Sequence, residues 1–329
     1  MIKAAIVGTG RWGQRLVNAV ATPRSDLIRF THAVARTPAN ARDFCSANDL
    51  SLTADLDAVL ADPSVDGVVL ATPHSQHVDQ VVRAAAAGKH VFVEKPLSLD
   101  ARGARTAIDA CMNAGVVLAV GHNRRFLPAI ATMKRIVDTG ELGTVLHLEG
   151  NFSGNFGLGY TGATWRATHA ESPAGGMTAM GIHTIDAFIH LSGPVSAVRC
   201  TSDRKVLQVD LDDTTSMFAR FENGATGYLS TMTATGRMFR LQVFGTRGWL
   251  HLLDHHLLDI GDIEGNVRRH EFPRVDTERL ELEAFARAAS GGGHYGIATD
   301  EVLHGIAVMQ TAIESAAAGG ELLAVKEPS

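Results

Sequence analysis

The amino-acid sequence predicts an α/β fold in two parts. A first domain has a mostly parallel sheet covered by helices on both faces, and a second, α+β domain is built on an open, mainly antiparallel sheet. Three observations predict this. Over the first 120 residues, short β-rich runs alternate with Ala-rich helical stretches, the rhythm of strand–helix–strand units. The run over 65–71 is nearly all apolar, as a strand buried on both faces must be. After about residue 123 the alternation stops, and long strands follow one another without helices between them.

In the first domain, expected over 1–122, strands read at 3–7, 29–35, 65–71, 90–93 and 116–120, with helices at 13–20, 40–47, 56–60, 77–87 and 101–114. The second, expected over 123–329, opens with a helix at 130–138 and a strand at 145–152, followed by a Gly- and aromatic-rich segment over 150–165. A helix over 177–192 stops at Gly193-Pro194, a pair that ends helices. Strands at 195–201, 214–221, 225–233, 239–245 and 249–253 come next, and helices at 277–290 and 299–318 close the chain. Asn223-Gly224 predicts a hairpin, because both residue types accept the positive φ of a tight turn.

Composition narrows the function classes. A chain of 329 residues can bury two cores. Its 30 Lys+Arg against 35 Asp+Glu, a net charge of −5, leave no basic footprint for nucleic acid. No apolar run is long enough to span a bilayer, and the N-terminus enters a strand at once, without the pattern of a leader. Cys45, Cys111 and Cys200 are scattered and odd in number, which suits a reducing compartment. A cytoplasmic protein with a small-molecule partner is expected, with neither nucleic acid nor membrane as partner.

Gly8-Thr9-Gly10-Arg11-Trp12-Gly13 follows the first strand and opens the first helix. In that setting GxGxxG is the dinucleotide fingerprint of a Rossmann domain: a tight turn, backbone access to a pyrophosphate, and close helix–strand packing. All six residues are expected to touch the cofactor. An NAD site usually has an acid at the end of the second strand, for the ribose 2′-hydroxyl. Here that position is Ala35, followed by Arg36 and Thr37. An arginine there suits a 2′-phosphate, so NADP is preferred over NAD as the expected cofactor. A P-loop is excluded because no Gly-Lys-Ser/Thr follows.

Further segments carry a resemblance: Thr72-Pro73-His74-Ser75-Gln76-His77, Gly88 through Glu94-Lys95-Pro96, Gly121-His122-Asn123-Arg124-Arg125-Phe126, Gly175-Gly176-Met177 through Gly181-Ile182-His183, Phe221-Glu222-Asn223-Gly224 and Phe244-Gly245-Thr246-Arg247-Gly248. With the fingerprint, they resemble the Gfo/Idh/MocA oxidoreductases over essentially the whole chain. The resemblance implies a nicotinamide-dependent dehydrogenase of sugars, polyols or cyclic diols, working as a homodimer or homotetramer. It implies that Lys95 steadies charge on the reacting oxygen and that His183 exchanges its proton. Thr72, Pro73, His77, Glu94 and Lys95 are further expected cofactor contacts, with Asn123 and Arg124 as substrate contacts. In the glycine-rich segment, Tyr160, Trp165 and Arg166 are the residue types that face sugar rings or grip a carboxylate, although its aromatics equally suit core packing.

One position departs from the pattern. The family has an aspartate four residues before the histidine, and here that residue is Ala179. Asp186, one helical turn beyond His183, is the alternative carboxylate, to orient the imidazole or to be solvated. Two other functions remain open beside redox turnover: a non-redox nucleotide-binding regulator, and a lyase or hydrolase that reduces NAD only transiently. No metal is expected. His251 and His255 would stand roughly 13 Å apart along extended chain, too far to chelate without a turn, and neither CxxC nor HExxH occurs.

Overall fold

The computed structural model describes residues 1–21 and 23–328. In chain order its strands are β1 (Ile2–Val7), β2 (Ile28–Val34), β3 (Ser51–Thr53), β4 (Gly67–Leu70), β5 (His90–Glu94), β6 (Leu118–Gly121), β7 (Val145–Ser153), β8 (Val195–Asp203), β9 (Thr214–Phe221), β10 (Thr226–Met232), β11 (Met238–Gly245), β12 (Gly248–Leu253), β13 (Leu257–Asp262), β14 (Val267–Glu271) and β15 (Leu323–Ala324). The α-helices are α1 (Arg11–Val20), α2 (Arg42–Ala47), α3 (Leu56–Leu60), α4 (His77–Ala86), α5 (Ala101–Ala114), α6 (Pro128–Asp138), α7 (Ile182–Ser192), α8 (Thr277–Ala289) and α9 (Thr299–Ala317).

The chain divides into two units, Met1–Asn123 with Asp276–Val302, and Arg124–Val275 with Leu303–Ser329. Residues 276–302, expected in the second domain, group with the first unit in this division. The physical reason is α8, which buries Leu282, Phe285 and Ala286 and sets Phe285 edge-on to Phe92 of β5 at 5.9 Å. Glu278 of α8 also pairs with Arg15 of α1 at 3.1 Å.

Among the described residues, the first unit holds a six-stranded sheet in the order β3-β2-β1-β4-β5-β6, every neighbouring pair parallel. Its central strands are sealed on both faces: Ala4, Ala5 and Ile6, Val68 through Leu70, and Val91 through Val93 are wholly buried. The strand order reverses between β1 and β4, and ligands of such sheets bind outside the carboxyl ends at that switch. Asp100 starts α5 by accepting from the Gly103 amide at 2.8 Å, so the helix following β5 is fixed close to the edge that matters.

The second unit is built on a nine-stranded sheet in the order β14-β13-β12-β11-β7-β10-β9-β8-β15. Its pairs are antiparallel except β7–β10, which is parallel, and the sheet stays open. Alternation sorts its faces. Leu148, Leu229, Leu241, Val243, Leu250 and Leu252 are buried, while His147, Glu149, Arg240 and Gln242 between them are half-buried. Gly150 of β7 admits α7 at close range, since a Cβ there would stand 2.3 Å from Thr184 Cγ2.

Two local expectations change. The helix expected over 177–192 begins with a wider π turn, Met177–Gly181, before α7. In the β9–β10 hairpin only Gly224 takes positive φ, +88°. Asn223 instead accepts from the Ala225 amide at 2.9 Å and donates to the Ser192 carbonyl at 2.8 Å.

Candidate active site

The parallel register brings the expected cofactor residues to one edge. Val7 pairs with Val34 and Leu70, Leu70 with Val93, and Glu94 with Gly121. Gly8, Ala35, Ala71, Lys95 and His122 consequently step off adjacent strands at the carboxyl edge.

The three fingerprint glycines have different causes. Gly8 takes φ +97°, and a Cβ there would meet the Ala71 carbonyl oxygen at 2.6 Å. A Cβ at Gly13 would fall 1.9 Å from the Gly8 carbonyl oxygen. Both are demanded by the fold itself. Gly10 has an ordinary φ of −67°, it is exposed, and a Cβ would meet nothing within 4 Å. Nothing inside the chain requires glycine there, whereas a pyrophosphate lying on the loop would. Gly10 is also the N-cap of α1, and no side chain caps that helix. Its first-turn N–H groups can thus serve an anion. On this geometry the residues fit a dinucleotide.

The neighbours divide into edge and support. Arg11, Arg36 and Thr37 are exposed, and Ala35 is buried, its amide donating to the Thr53 carbonyl at 3.0 Å. Trp12 lies under the Arg15 guanidinium at 5.3 Å. The Thr72 hydroxyl donates to Gln80 Oε1 at 2.6 Å, and Pro73 precedes the short 3-10 turn His74–Gln76. Glu94 is buried beside Gly121, where a Cβ would meet Oε1 at 3.1 Å, and Lys95 is half-buried.

His77, expected at the cofactor, is wholly buried. Its ring lies between the Pro96 carbonyl (Nδ1, 2.8 Å) and the Thr72 carbonyl (Nε2, 3.1 Å), joining the two loops that carry Thr72 and Lys95. Asn123, expected at the substrate, is likewise buried, and its amide donates to Glu278 at 3.1 Å.

In the second unit His183 is buried on α7, with its ring 6.0 Å from Phe152 at the end of β7. Arg124 lies over the Phe152 ring as well, its guanidinium 5.2 Å from the centroid. Ala179 sits in the π turn, half-buried. Asp186 does not take its place, because both of its carboxylate oxygens accept from Arg125, at 2.8 and 3.1 Å, in a pair that is 95 % buried on each side chain. Arg125 also donates to His190 Nδ1 at 2.6 Å. Tyr160 packs on Phe156 at 5.7 Å, and Arg166 covers the ring of Trp165 at 4.0 Å.

His255, weighed in the sequence only as a metal ligand, packs beside Phe152, with ring centroids 5.7 Å apart. His251 lies in β12 and His255 in the turn to β13, past the end of the strand expected over 249–253. The polar break Asp254-His255-His256 between Leu252-Leu253 and Leu257-Leu258 is the signal that identifies this hairpin. Its ring stacks on Phe239 at 3.9 Å, and burial together with the nearby Arg124 charge pushes its pKa down to about 3. Among the described residues no cluster of three or more His, Cys, Asp or Glu could hold a metal ion, and no helix is long and apolar enough to cross a membrane.

A doubly wound parallel sheet whose switch point carries an uncapped helix, opened by a glycine that no contact within the chain requires, has the architecture of a dinucleotide-binding α/β protein. The chain belongs to the GFO/IDH/MocA oxidoreductases: the model described as "Oxidoreductase family, NAD-binding Rossmann fold" matches residues 2–122, and the GFO/IDH/MocA C-terminal domain matches residues 130–251. It is 29% identical over 316 residues to scyllo-inositol 2-dehydrogenase (NAD(+)) of Bacillus subtilis (strain 168), covering 88% of this chain and 87% of that one. It is 29% identical over 274 residues to D-xylose 1-dehydrogenase (NADP(+)) 2 of Haloferax volcanii, covering 80% and 82%. Its fold is also that of levoglucosan dehydrogenase in complex with NADH and levoglucosan, with a TM-score of 0.89 over 99% of this chain and 100% of that one at 22% identity.

Proposed function

We propose that this chain is an NADP(H)-preferring dehydrogenase that oxidises a hydroxyl of a sugar, polyol or cyclic diol and catalyses the reverse reduction. The observation that carries the reading is the carboxyl edge of the six-stranded sheet, where Gly10 has no internal reason to be glycine and Lys95 follows two strands away. The names of the inositol and xylose relatives supply the substrate class.

The nicotinamide dinucleotide, when bound, supplies the hydride acceptor. Gly8 through Gly13 hold its pyrophosphate through backbone N–H groups. Arg36 and Thr37 meet the 2′-phosphate, with Ala35 offering no competing carboxylate. Thr72, Pro73 and Glu94 line the remaining edge. The Lys95 ammonium stabilises negative charge on the substrate oxygen. His183 takes the hydroxyl proton as hydride leaves and returns it in the reverse direction. Arg124, with Tyr160, Trp165 and Arg166, binds the substrate's other polar groups and ring face. The half-buried outer face of the nine-stranded sheet, with Glu149 and Arg240 paired at 3.2 Å, supports assembly as a homodimer or homotetramer. Three free, buried cysteines suit the cytoplasm.

The test is cofactor reduction with NADP+ and with NAD+ across a panel of inositols, aldoses, anhydrosugars and cyclic diols. Net reduction with at least one of them, faster with NADP+, is the expected result. Tight dinucleotide binding without reduction across the panel contradicts the reading and favours a non-redox regulator.

A further inference from the structure

In the second unit His183, Phe152, Arg124 and His255 form a connected cluster. His255 reaches it from the hairpin between β12 and β13, where Asp254 and His255 adopt φ of +47° and +68°. That is left-handed backbone, disfavoured for residues with side chains and retained where the surroundings demand it. The demand here is inward. The imidazole stacks on Phe239 at 3.9 Å and 22° and meets Phe152 edge-on at 5.7 Å and 71°. Its Nε2 accepts from Arg124 Nε at 3.4 Å. The Arg124 guanidinium is thereby held over Phe152, the ring that also neighbours His183.

We infer that His255 is a positioning residue for substrate recognition: stacked on Phe239, its imidazole fixes the guanidinium of Arg124 over Phe152, so that Arg124 meets the substrate in one pose. The inference rests on the substrate role proposed for Arg124. Burial and the neighbouring charges of Arg124, His256 and Arg274 keep the ring neutral, so Nε2 retains the lone pair that accepts from Arg124. A neutral acceptor orients the guanidinium while leaving its charge intact.

The test measures KM, kcat and cofactor Kd with the substrate that gives fastest wild-type turnover. His255→Phe keeps a stacking ring and loses the acceptor, whereas His255→Gln keeps an acceptor at about the reach of Nε2. His255→Phe is expected to raise KM about tenfold, the usual effect of losing one hydrogen bond to a charged group. Cofactor Kd and kcat should change little, and His255→Gln should recover most of the loss. Adding His255→Phe to Arg124→Ala should cost nothing further, because the pair acts as one unit. A folded His255→Phe enzyme with wild-type KM, or losses that multiply in the double variant, overturns the inference. Should His255→Phe not fold, His255→Gln decides, and a KM as poor as that of Arg124→Ala counts against the inference. An unchanged KM in Arg124→Ala overturns it while leaving the dehydrogenase reading intact, and a wild-type enzyme that reduces no cofactor removes both.

Discussion

Arg36 shows how much one side chain at the strand edge has to decide. With Ala35 buried and Arg36 exposed, the proposed site offers a guanidinium to a 2′-phosphate and has no carboxylate at residue 35. Arg36→Ala should weaken NADP(H) about tenfold or more, while NAD(H) is nearly unaffected. Titration of both nucleotides checks it, and equal losses would refute the preference. At Gly10 the open surroundings of the absent Cβ predict that Gly10→Val folds normally yet loses dinucleotide binding. A folded variant that titrates like wild type would mean that the fingerprint serves the fold only. His255 gives a pH prediction. Its folded pKa of about 3 lies below the ordinary 6.5, so between those values the unfolded chain holds the extra proton. Its contribution to stability is complete above about pH 6.5 and drains away as pH falls toward 3. By pH 5 the loss is about 2 kcal/mol. Denaturant unfolding should therefore show a steeper acid loss in wild type than in His255→Gln, and identical pH profiles would contradict the burial of a neutral ring.

The elements that were legible in the sequence are those whose periodicity is strong or whose ends are punctuated. Leu56–Leu60, Ala101–Ala114 and Thr214–Phe221 fall where the pattern placed them, since apolar spacing and caps or turn residues agree there. Of the strands that the reading left out, Leu257–Asp262 had a signal, the polar break before it, and the other three had none. Ser51–Thr53 is three residues long, Val267–Glu271 is exposed throughout, and Leu323–Ala324 is a two-residue edge pair. The π turn Met177–Gly181 was not legible either, because it keeps the apolar character of the helix it precedes. That turn carries Ala179, ahead of a histidine whose other candidate carboxylate, Asp186, is committed to Arg125. Ala179→Asp should place an anion near the imidazole and move the pH–rate profile to higher pH, since a nearby negative charge favours imidazolium. An unmoved profile in a folded variant would show that residue 179 does not sense His183.

For the molecule as a whole, contiguous motifs carried more information than long-range packing. Gly8 through Gly13, Glu94-Lys95-Pro96 and Gly181-Ile182-His183 could be read in place because each is a short run beside a strand or helix end. The return of Asp276–Val302 to the first unit was hidden. The apolar face of α8 says that the helix must be covered, but not that Phe92 covers it. The same distinction explains His77 and Asn123, whose motifs were visible while their buried partners were not. The central claim, that this fold carries a dehydrogenase using Lys95 and His183, is tested most directly by single-turnover hydride transfer in wild type, Lys95→Ala and His183→Ala, with circular dichroism to confirm folding. The account predicts near-normal dinucleotide binding in both variants and a chemical step slowed by about 10²–10⁴-fold in His183→Ala, and at least as much in Lys95→Ala. Folded variants that transfer hydride at the wild-type rate would contradict it.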